Sequence, residues 1–491
     1  MSEKHYDVLF SDKLGRYLVA NKDLNAGSVI FTDTPFAFGP KQDSSPLCLG
    51  CYCPVENSVC SRCSWPICSE ACEKSSAHQP ECDALSAARV QFQPVQDWTE
   101  ASPQLDCITP LRMLLAKERD PSRWQQEIDM METHTEERKK QASWAADYNN
   151  IVNFLLNHCK LGARFTEEDI IRVCGIIAVN AVEIPSRGGY STHAVYPQLA
   201  VAAHSCVPNI AHTILYNNYE VQVRAAIPIK AGDILYISYT HALSPTIVRR
   251  EHLRESKYFD CECQRCADPT ELGTHMSTIK CSKCDNGVIL ASDPLDNESK
   301  WKCTDLKCGF ETSSAAMRKM LAVIQAEVDQ LDALQPTPEA IEMREAFLEK
   351  YKSVFHPRHS ILLSVKYTLA ELYGRVEGYT IDELPDLMLE RKVEMCRLLL
   401  TTLDVILPGD TRMRGMMLYE LHAPLMYLAR SEFSAGLITQ EQLKTRLEEP
   451  MKCLAGAAKI LQREDPQSPE GTIGFIASQS LEQLKASVES L

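Results

Sequence analysis

The residues of this chain with the clearest chemical potential are its cysteines. The 491-residue sequence contains 21 cysteines, and most of them fall at 48–82, 261–266 and 281–308. After Cys308 only Cys396 and Cys453 remain. In a reducing compartment, such a density of cysteines indicates metal sites rather than disulfides. The metal chemistry is therefore expected in the first two thirds of the chain.

The first cluster consists of four close pairs of ligands, which is enough for two tetrahedral zinc sites. The pairs are Cys48 with Cys51, Cys60 with Cys63, Cys68 with Cys72, and His78 with Cys82. We expect them to interleave, so that Cys48, Cys51, Cys68 and Cys72 hold one ion and Cys60, Cys63, His78 and Cys82 hold the other. Cys53 is left over. Such a short segment has little apolar core, so metal binding must supply most of its folding free energy.

The other two clusters predict two more zinc sites. Cys261, Cys263 and Cys266 give three ligands where zinc takes four, and Cys206 is the natural candidate for the fourth. Cys281, Cys284, Cys303 and Cys308 form a complete set, which we interpret as a ribbon-like structural site. About four zinc ions per chain are expected.

Strands and helices must position these ligands. Residues 15–38 have the pattern of two strands joined by a turn at Asn25-Ala26-Gly27. Residues 111–180 are rich in Leu, Ala, Glu and Gln and predict helices, with a break near Gly162. Residues 190–240 return to a strand pattern, in which 219–224 alternates apolar and polar residues and 234–237 is expected to be a buried strand.

The chain beyond residue 314 is predicted to be helical. The pattern indicates helices at 315–332, 338–354, 360–375, 386–406 and 411–430, and Pro450 is expected to separate two final helical segments. Helix pairs in series suggest a tetratricopeptide-like array, whose concave face often binds partners. No clean repeat is visible, so an irregular helical bundle is an equal alternative.

Composition limits the classes of function. The formal net charge is -15, which disfavours a nucleic-acid binder and suits a Lys-rich protein partner, although an acidic balance by itself commonly serves only solubility. A run of about 18 apolar residues is absent from the sequence, so a membrane span is not expected. Lys4, His5 and Asp7 make the N-terminus too polar for a signal peptide, which favours an intracellular protein.

Taken together, these motifs resemble the SET-and-MYND protein lysine methyltransferases. The cluster at 48–82 is similar to a MYND zinc finger. The segment His204-Ser205-Cys206-Val207-Pro208-Asn209 resembles a characteristic motif of that family, as do Ile237-Ser238-Tyr239 and the cysteine triplet that follows. Leu14-Gly15-Arg16-Tyr17-Leu18-Val19-Ala20 resembles the family's first cofactor loop. The order of these parts makes the resemblance more specific than any one of them.

The resemblance implies an α+β fold with a β-rich SET core that is interrupted by a MYND finger and a helical insert. The implied divisions are the N-terminal part of the SET domain at 1–47, the finger at 48–82, the helical insert at 83–179, the SET core at 180–245, a post-SET and additional zinc-binding region at 246–314, and an all-α, tetratricopeptide-like C-terminal domain at 315–491.

The same resemblance implies an S-adenosylmethionine-dependent protein-lysine N-methyltransferase. Tyr239 matches the catalytic tyrosine. The implied cofactor residues are Arg16, Tyr17, Asn180, His204 and Phe259, with Glu132 and His134 as two further candidates. The expected partners are a protein substrate with a target lysine, together with proteins bound by the finger and the helical domain. A monomer in the cytoplasm and nucleus is expected, without sequence-specific nucleic-acid binding or membrane attachment.

Two departures from the family pattern support an alternative reading. Ala203 stands where the family has an asparagine, and its side chain cannot hydrogen-bond a cofactor. Tyr17 replaces a glycine of the cofactor loop, which removes backbone freedom. The alternative is therefore a catalytically weak or inactive adaptor that binds protein partners, for example in transcriptional regulation.

Overall fold

The computed structural model describes residues 4–93, 95–186 and 190–491. The strands are β1 (Tyr6–Ser11), β2 (Gly15–Ala20), β3 (Val29–Asp33), β4 (Ala37–Pro40), β5 (Val182–Pro185), β6 (Ser191–Val195), β7 (Ala203–His204), β8 (Ile210–Leu215), β9 (Glu220–Ala225), β10 (Tyr236–Ile237), β11 (Ile279–Lys280), β12 (Val288–Ala291), β13 (Trp301–Cys303) and β14 (Glu311–Thr312). They form several small sheets rather than one large one.

The helices fall into two groups, those before residue 314 and those from residue 314 onwards. The former are α1 (Glu70–Glu73), α2 (Gln79–Ala88), α3 (Ile108–Arg119), α4 (Pro121–Arg123), α5 (Thr135–Arg138), α6 (Trp144–Asp147), α7 (Glu167–Asn180), α8 (Thr246–Ser256) and α9 (Gln264–Ala267). The latter are α10 (Ser314–Asp332), α11 (Pro338–Tyr351), α12 (Ser360–Leu372), α13 (Asp386–Ile406), α14 (Arg412–Ser434), α15 (Gln440–Leu461) and α16 (Pro469–Ser490).

The strands on either side of the finger and helical insert share one apolar core. β3 pairs with β9, which also pairs with β8, and β4 pairs with β6, which also pairs with β5. In β9 the alternation seen in the sequence places Val221, Val223 and Ala225 in the interior, as the two-residue period of a strand requires. Leu18 and Ile30 join that core from the N-terminal strands, so residues far apart in the sequence build a single β-rich unit.

The segment predicted as a strand at 234–237 changes partners along its length. Ile234 forms an antiparallel bridge with Val19, whereas Tyr236 and Ile237 pair in parallel with Ala203 and His204. Asn209 stabilises this change of partner. Its side-chain amide donates to the Ile234 carbonyl at 2.8 Å and accepts from the Tyr236 N–H at 2.7 Å. The chain segments therefore cross next to His204 and Tyr239.

The insert is helical, as predicted, but irregular. Between α3 and α7 the chain includes π-helical stretches at Trp124–Ile128 and Tyr148–His158 and a single 3₁₀ turn at Leu161–Ala163. α7 begins at a capping box in which Thr166 and Asp169 bond each other's main-chain N–H groups. Trp65 of the finger and Leu111 of α3 lie in one apolar cluster, so the finger and the insert share a core.

The helical predictions after residue 314 agree with the structure except at Pro450. The prediction that Pro450 separates two helices is wrong, because Pro450 lies buried inside α15. An interior proline costs a helix about 3 kcal/mol. Leu447 and Leu454 on the same helix are fully buried, and this packing offsets the cost. The break falls instead between α15 and α16, where Ser468 caps the new helix.

The long helices pack chiefly on their neighbours in the chain, from α12 through to α16. That arrangement is typical of serial helix arrays, in which each unit buries its apolar face against the next. Within the described residues, no helix is both long enough and apolar enough to cross a membrane.

The buried face of α13 provides a test of this packing. Leu403 is fully buried and Leu387 is 75 % exposed on the same helix. We expect Leu403→Ala to lower the free energy of unfolding by about 2–5 kcal/mol, because it leaves a cavity. Leu387→Ala should change it by less than about 0.5 kcal/mol. Urea denaturation followed by circular dichroism measures both. Equal effects of the two substitutions would contradict the described orientation of α13.

Candidate active site and metal centres

The cysteines predicted as zinc ligands lie together in four groups. The groups are Cys48, Cys51, Cys68 and Cys72; Cys60, Cys63, His78 and Cys82; Cys206, Cys261, Cys263 and Cys266; and Cys281, Cys284, Cys303 and Cys308. In each group the candidate ligand atoms lie within 4.8 Å of one another. These are the four sets expected from the sequence, including the interleaved pairing within the finger.

The distances within the groups suit a zinc ion. Tetrahedral coordination with Zn–S bonds of about 2.3 Å requires sulfur atoms about 3.8 Å apart. The observed Sγ–Sγ distances are 3.6 Å for Cys51 with Cys68, 3.7 Å for Cys60 with Cys82, and 3.6 Å for Cys281 with Cys308. Each group can therefore hold one ion without rearrangement.

The finger is connected to strand β4 by a buried guanidinium. His78 faces Cys63 through Nε2 at 3.6 Å, and its Nδ1 lies 3.1 Å from a carboxylate oxygen of Glu81. Arg112 of α3 donates to Glu81 through two nitrogens, and it also donates to the Leu49 carbonyl at 2.7 Å and the Phe38 carbonyl at 3.0 Å. A carboxylate behind a ligating histidine fixes the orientation of its ring. Sequence reasoning missed Glu81 and Arg112, although the His78–Glu81 spacing of three residues on one helical turn was a usable signal.

The third cysteine group joins two distant segments. Cys206 follows β7, and its Sγ lies 4.0 Å from that of Cys261 and 3.5 Å from that of Cys266. Arg249 of α8 is fully buried, and its Nε lies 3.3 Å from the Cys206 sulfur. A cation in this position suits a cluster of four thiolates, whose total negative charge would exceed the positive charge of a bound zinc ion.

A buried carboxylate offsets the cations around this group. Glu271 accepts from Arg249 at 2.7 Å and from Arg265 at 2.9 Å, and all three side chains are buried. Burial alone would raise the pKa of Glu271, but the two guanidinium groups outweigh it and hold the pKa at about 2. The carboxylate is therefore charged at any physiological pH, and the arginines keep their orientation towards the cysteines.

Next to this group, three predicted site residues are in contact. His204 Nδ1 accepts a hydrogen bond from the Tyr239 N–H at 2.9 Å. The His204 ring lies 5.1 Å from the Tyr239 ring and 5.8 Å from the Phe259 ring, measured between centroids. The parallel pairing of β7 with β10 brings His204 and Tyr239 together, and the cysteine group brings Phe259 to them.

The Tyr239 hydroxyl lies in an environment that keeps it protonated. It donates to the Ala202 carbonyl at 2.6 Å. Burial raises the pKa of Tyr239 to about 12. At neutral pH this tyrosine is a hydrogen-bond donor rather than a base.

Four further predicted cofactor residues lie on segments that contact one another near the C-terminal end of α7. Asn180, at the end of that helix, donates to the Glu132 carbonyl at 2.9 Å, and the His134 ring stacks on Tyr258 at 4.7 Å. Arg16 donates to the Met130 carbonyl at 3.3 Å. The structure therefore brings Arg16 to the loop that carries Glu132 and His134, and it brings this loop to Asn180.

Tyr17 and Ala203, the two positions at which the sequence departs from the family pattern, both lie in strands. The positive φ of the first loop is at Gly15, with a value of 64°, whereas Tyr17 lies in β2 opposite Leu9. Tyr17 therefore causes no backbone strain. Ala203 is buried in β7 and pairs with Tyr236, and its side chain offers no polar group to the site.

Lys257 also reaches the candidate site, although sequence reasoning did not identify it. Its Nζ donates to the Val179 carbonyl, one residue before Asn180, and lies 5.8 Å from the centroid of the Tyr239 ring. A single lysine near a cysteine cluster has no spacing pattern by which the sequence alone could reveal its role.

Comparison with known proteins agrees with this geometry. The family model of the SET domain matches residues 15–240. The chain is 27% identical to the SET domain-containing protein SmydA-8, isoform A, of Drosophila melanogaster, over 61% of this chain and 64% of that protein. The aligned part thus covers slightly less than two thirds of that relative.

Two further relatives align over more of the chain. The histone-lysine N-methyltransferase ASHR1 of Arabidopsis thaliana is 23% identical over 82% of this chain and 83% of its own length. The N-lysine methyltransferase SMYD2-B of Danio rerio is 25% identical over 74% of this chain and 78% of its own length. The chain therefore contains a SET domain. Its similarity to these relatives, its four cysteine groups and its helical C-terminal region support an SMYD-type SET protein.

Proposed function

We propose that this protein is an S-adenosylmethionine-dependent protein-lysine N-methyltransferase that acts on histone or non-histone proteins. The observation that carries the proposal is the contact of Tyr239 with His204, and of His204 with Phe259, at the crossing of β7 and β10. The relatives from Arabidopsis thaliana and Danio rerio, which are named as lysine methyltransferases, support the same reaction. We further propose that the finger and the helical region bind partner proteins, and that the protein acts as a monomer in the cytoplasm and nucleus.

The residues around the site fit the chemistry of S-adenosylmethionine, which combines an adenine, a ribose, an ammonium and a carboxylate. Phe259 offers an aromatic face, Glu132 a carboxylate, Asn180 an amide oxygen and Arg16 a guanidinium. All four residues are at least partly exposed, so a ligand can reach them. The sulfonium supplies an activated methyl group, so the protein needs no nucleophile of its own.

The protein's task is then to present a neutral lysine amine. An ordinary lysine has a pKa of about 10.4 and is charged at neutral pH. Removal from water beside Tyr239 lowers that pKa, and an aromatic ring holds the ammonium until it loses its proton to water. Because the Tyr239 hydroxyl keeps its own proton, it orients the acceptor and does not act as the base.

The adaptor alternative depends on Ala203 and Tyr17, and no observation favours it. Tyr17 occupies an unstrained strand position. Loss of one side-chain hydrogen bond at residue 203 costs about 0.5–1.5 kcal/mol of cofactor binding, which weakens a site without abolishing it.

We also propose that the four cysteine groups each hold one structural zinc ion, four in all. The tetrahedral sulfur spacing supports this assignment. Zinc at the Cys206 group would clamp the segment that carries His204 to the segment that carries Phe259, since each aromatic residue lies two positions before a ligand.

Substitution of Tyr239 tests the catalytic assignment. Tyr239→Phe should lower the rate of methyl transfer by about 10²–10³-fold, because it removes the hydroxyl that orients the reacting amine. Its affinity for S-adenosylmethionine, measured by calorimetry, should change little. Labelled methyl transfer to a panel of histones and Lys-containing peptides measures the rate. Tyr351→Phe is the matched control, because it also removes one hydrogen-bonding hydroxyl, but from α11. Absence of cofactor binding at millimolar concentration would refute the proposal.

Substitution of Cys206 tests the clamp. Metal analysis of freshly purified protein should give four zinc ions for the unaltered chain and three for Cys206→Ser. The variant should also bind S-adenosylmethionine more weakly, because the segment with Phe259 loses its anchor. Cys53→Ser is the matched control, since Cys53 lies outside all four groups, and it should retain four ions. A full zinc complement with normal cofactor affinity in Cys206→Ser would show that Cys206 is not the fourth ligand.

A further inference from the structure

Lys257 lies at the catalytic tyrosine. It directly follows α8, and its main-chain N–H donates to the Leu253 carbonyl at 2.9 Å. The side chain extends from this fixed point so that its ammonium lies over the Tyr239 ring and donates to the Val179 carbonyl. Lys257 thus bridges the end of α7, where Asn180 lies, and the ring of Tyr239.

The surroundings of this ammonium differ from those of two other lysines, Lys392 and Lys117, which are each paired with a carboxylate. Lys392 is buried beside the carboxylate of Glu420 at 2.7 Å, and Lys117 beside that of Asp169 at 2.6 Å. Among the ion pairs of the described part of the chain, none includes Lys257. Its pKa is lowered to about 8 by burial, without a carboxylate to oppose the shift.

These are the properties that the transferase must create in an acceptor. A substrate lysine has to enter the space beside Tyr239, lose water, rest on an aromatic ring and give up its proton. In the folded chain Lys257 already lies beside Tyr239 and on its ring, largely removed from water, and its lowered pKa eases the loss of the proton. The carbonyl of Val179 offers its N–H groups a partner that does not hold the positive charge as a carboxylate would.

We propose that Lys257 is an internal methyl acceptor, so that the protein methylates itself at this position. The inference rests on the proposed function. In the reaction the ammonium of Lys257 first loses a proton to water. The nitrogen lone pair then forms a bond with the methyl carbon as the carbon–sulfur bond of S-adenosylmethionine breaks, and the electron pair of that bond stays on sulfur to give S-adenosylhomocysteine.

The reaction occurs within one molecule. Lys257 is separated from Phe259 by one residue and from Tyr239 by a side-chain contact, so no second chain has to enter the site. Because the same molecule holds Lys257 and binds S-adenosylmethionine, the reaction needs no encounter between two protein molecules. The initial rate per molecule is therefore independent of protein concentration.

Mass spectrometry of the unaltered full-length protein tests the proposal directly. After incubation with S-adenosylmethionine that carries a deuterated methyl group, the peptide containing Lys257 should gain the mass of one labelled methyl group or more. Lys230, an exposed lysine paired with Asp23, is the internal reference and should stay unlabelled. Lys257→Arg should abolish the label at residue 257, and Tyr239→Phe should lower its rate of incorporation by about 10²–10³-fold.

Mixing two variants tests whether the reaction is intramolecular. Tyr239→Phe protein retains Lys257, and Lys257→Arg protein retains Tyr239. When they are incubated together with the labelled cofactor, Lys257 of the Tyr239→Phe chains should be labelled no faster than in Tyr239→Phe protein alone. Labelling at the rate seen in the unaltered protein would overturn the intramolecular route.

Chemical labelling of Lys257 tests its position without any enzymatic methyl transfer. Formaldehyde with a borohydride reductant methylates accessible amines chemically, without S-adenosylmethionine. If the amine of Lys257 faces the cofactor, saturating S-adenosylhomocysteine should slow its chemical methylation severalfold and leave Lys230 unaffected.

The failures of the two proposals are distinguishable. Protein that methylates an external lysine but leaves Lys257 unlabelled, with no protection by S-adenosylhomocysteine, retains the proposed function and overturns this inference. Protein that does not bind S-adenosylmethionine overturns both.

Discussion

The parallel pairing of two very short strands is the contact on which the candidate site depends. β7 and β10 contribute only two residues each, yet they place His204 beside the segment that ends at Tyr239. Two residue pairs of parallel β-ladder cannot stabilise this crossing alone, since each hydrogen bond contributes about 0.5–1.5 kcal/mol to the free energy of folding. The crossing is stabilised by the Asn209 amide on one side and by the Cys206 group on the other.

The Cys206 group solves an electrostatic problem as well as a structural one. Four thiolates around a divalent ion, three of them from buried cysteines, would leave excess negative charge in a region with little water. Arg249 meets that charge directly, and Glu271 holds Arg249 and Arg265 in place. Removing one member of such a buried set leaves an uncompensated charge, which is far more costly than losing a surface ion pair. The residues that hold His204 and Phe259 together are therefore largely charged.

How much of this structure is predictable from sequence depends on the range of the interactions. The cysteine groups were predictable because ligands of one ion come in closely spaced pairs. The bounds of α13 were predictable because its apolar periodicity is local. The error at Pro450 arises because burial between two neighbouring helices, which no local rule contains, outweighs the penalty of an interior proline. The roles of Arg112, Arg249 and Lys257 were missed for the same reason, since each contacts residues that are distant in sequence.

The Arg112 network shows that the finger is a fixed part of the SET fold and not a module on a flexible linker. One buried guanidinium contacts the Glu81 carboxylate behind His78, the carbonyl of Leu49 in the finger and the carbonyl of Phe38 in β4. The finger also shares its apolar core with the helical insert, through Trp65 and Leu111. Any protein held by the finger is therefore placed at a defined distance and orientation from Tyr239, because the intervening contacts are packed side chains and buried hydrogen bonds. Under the proposed function, this fixed geometry would limit which lysines of a protein bound at the finger can reach the position beside Tyr239.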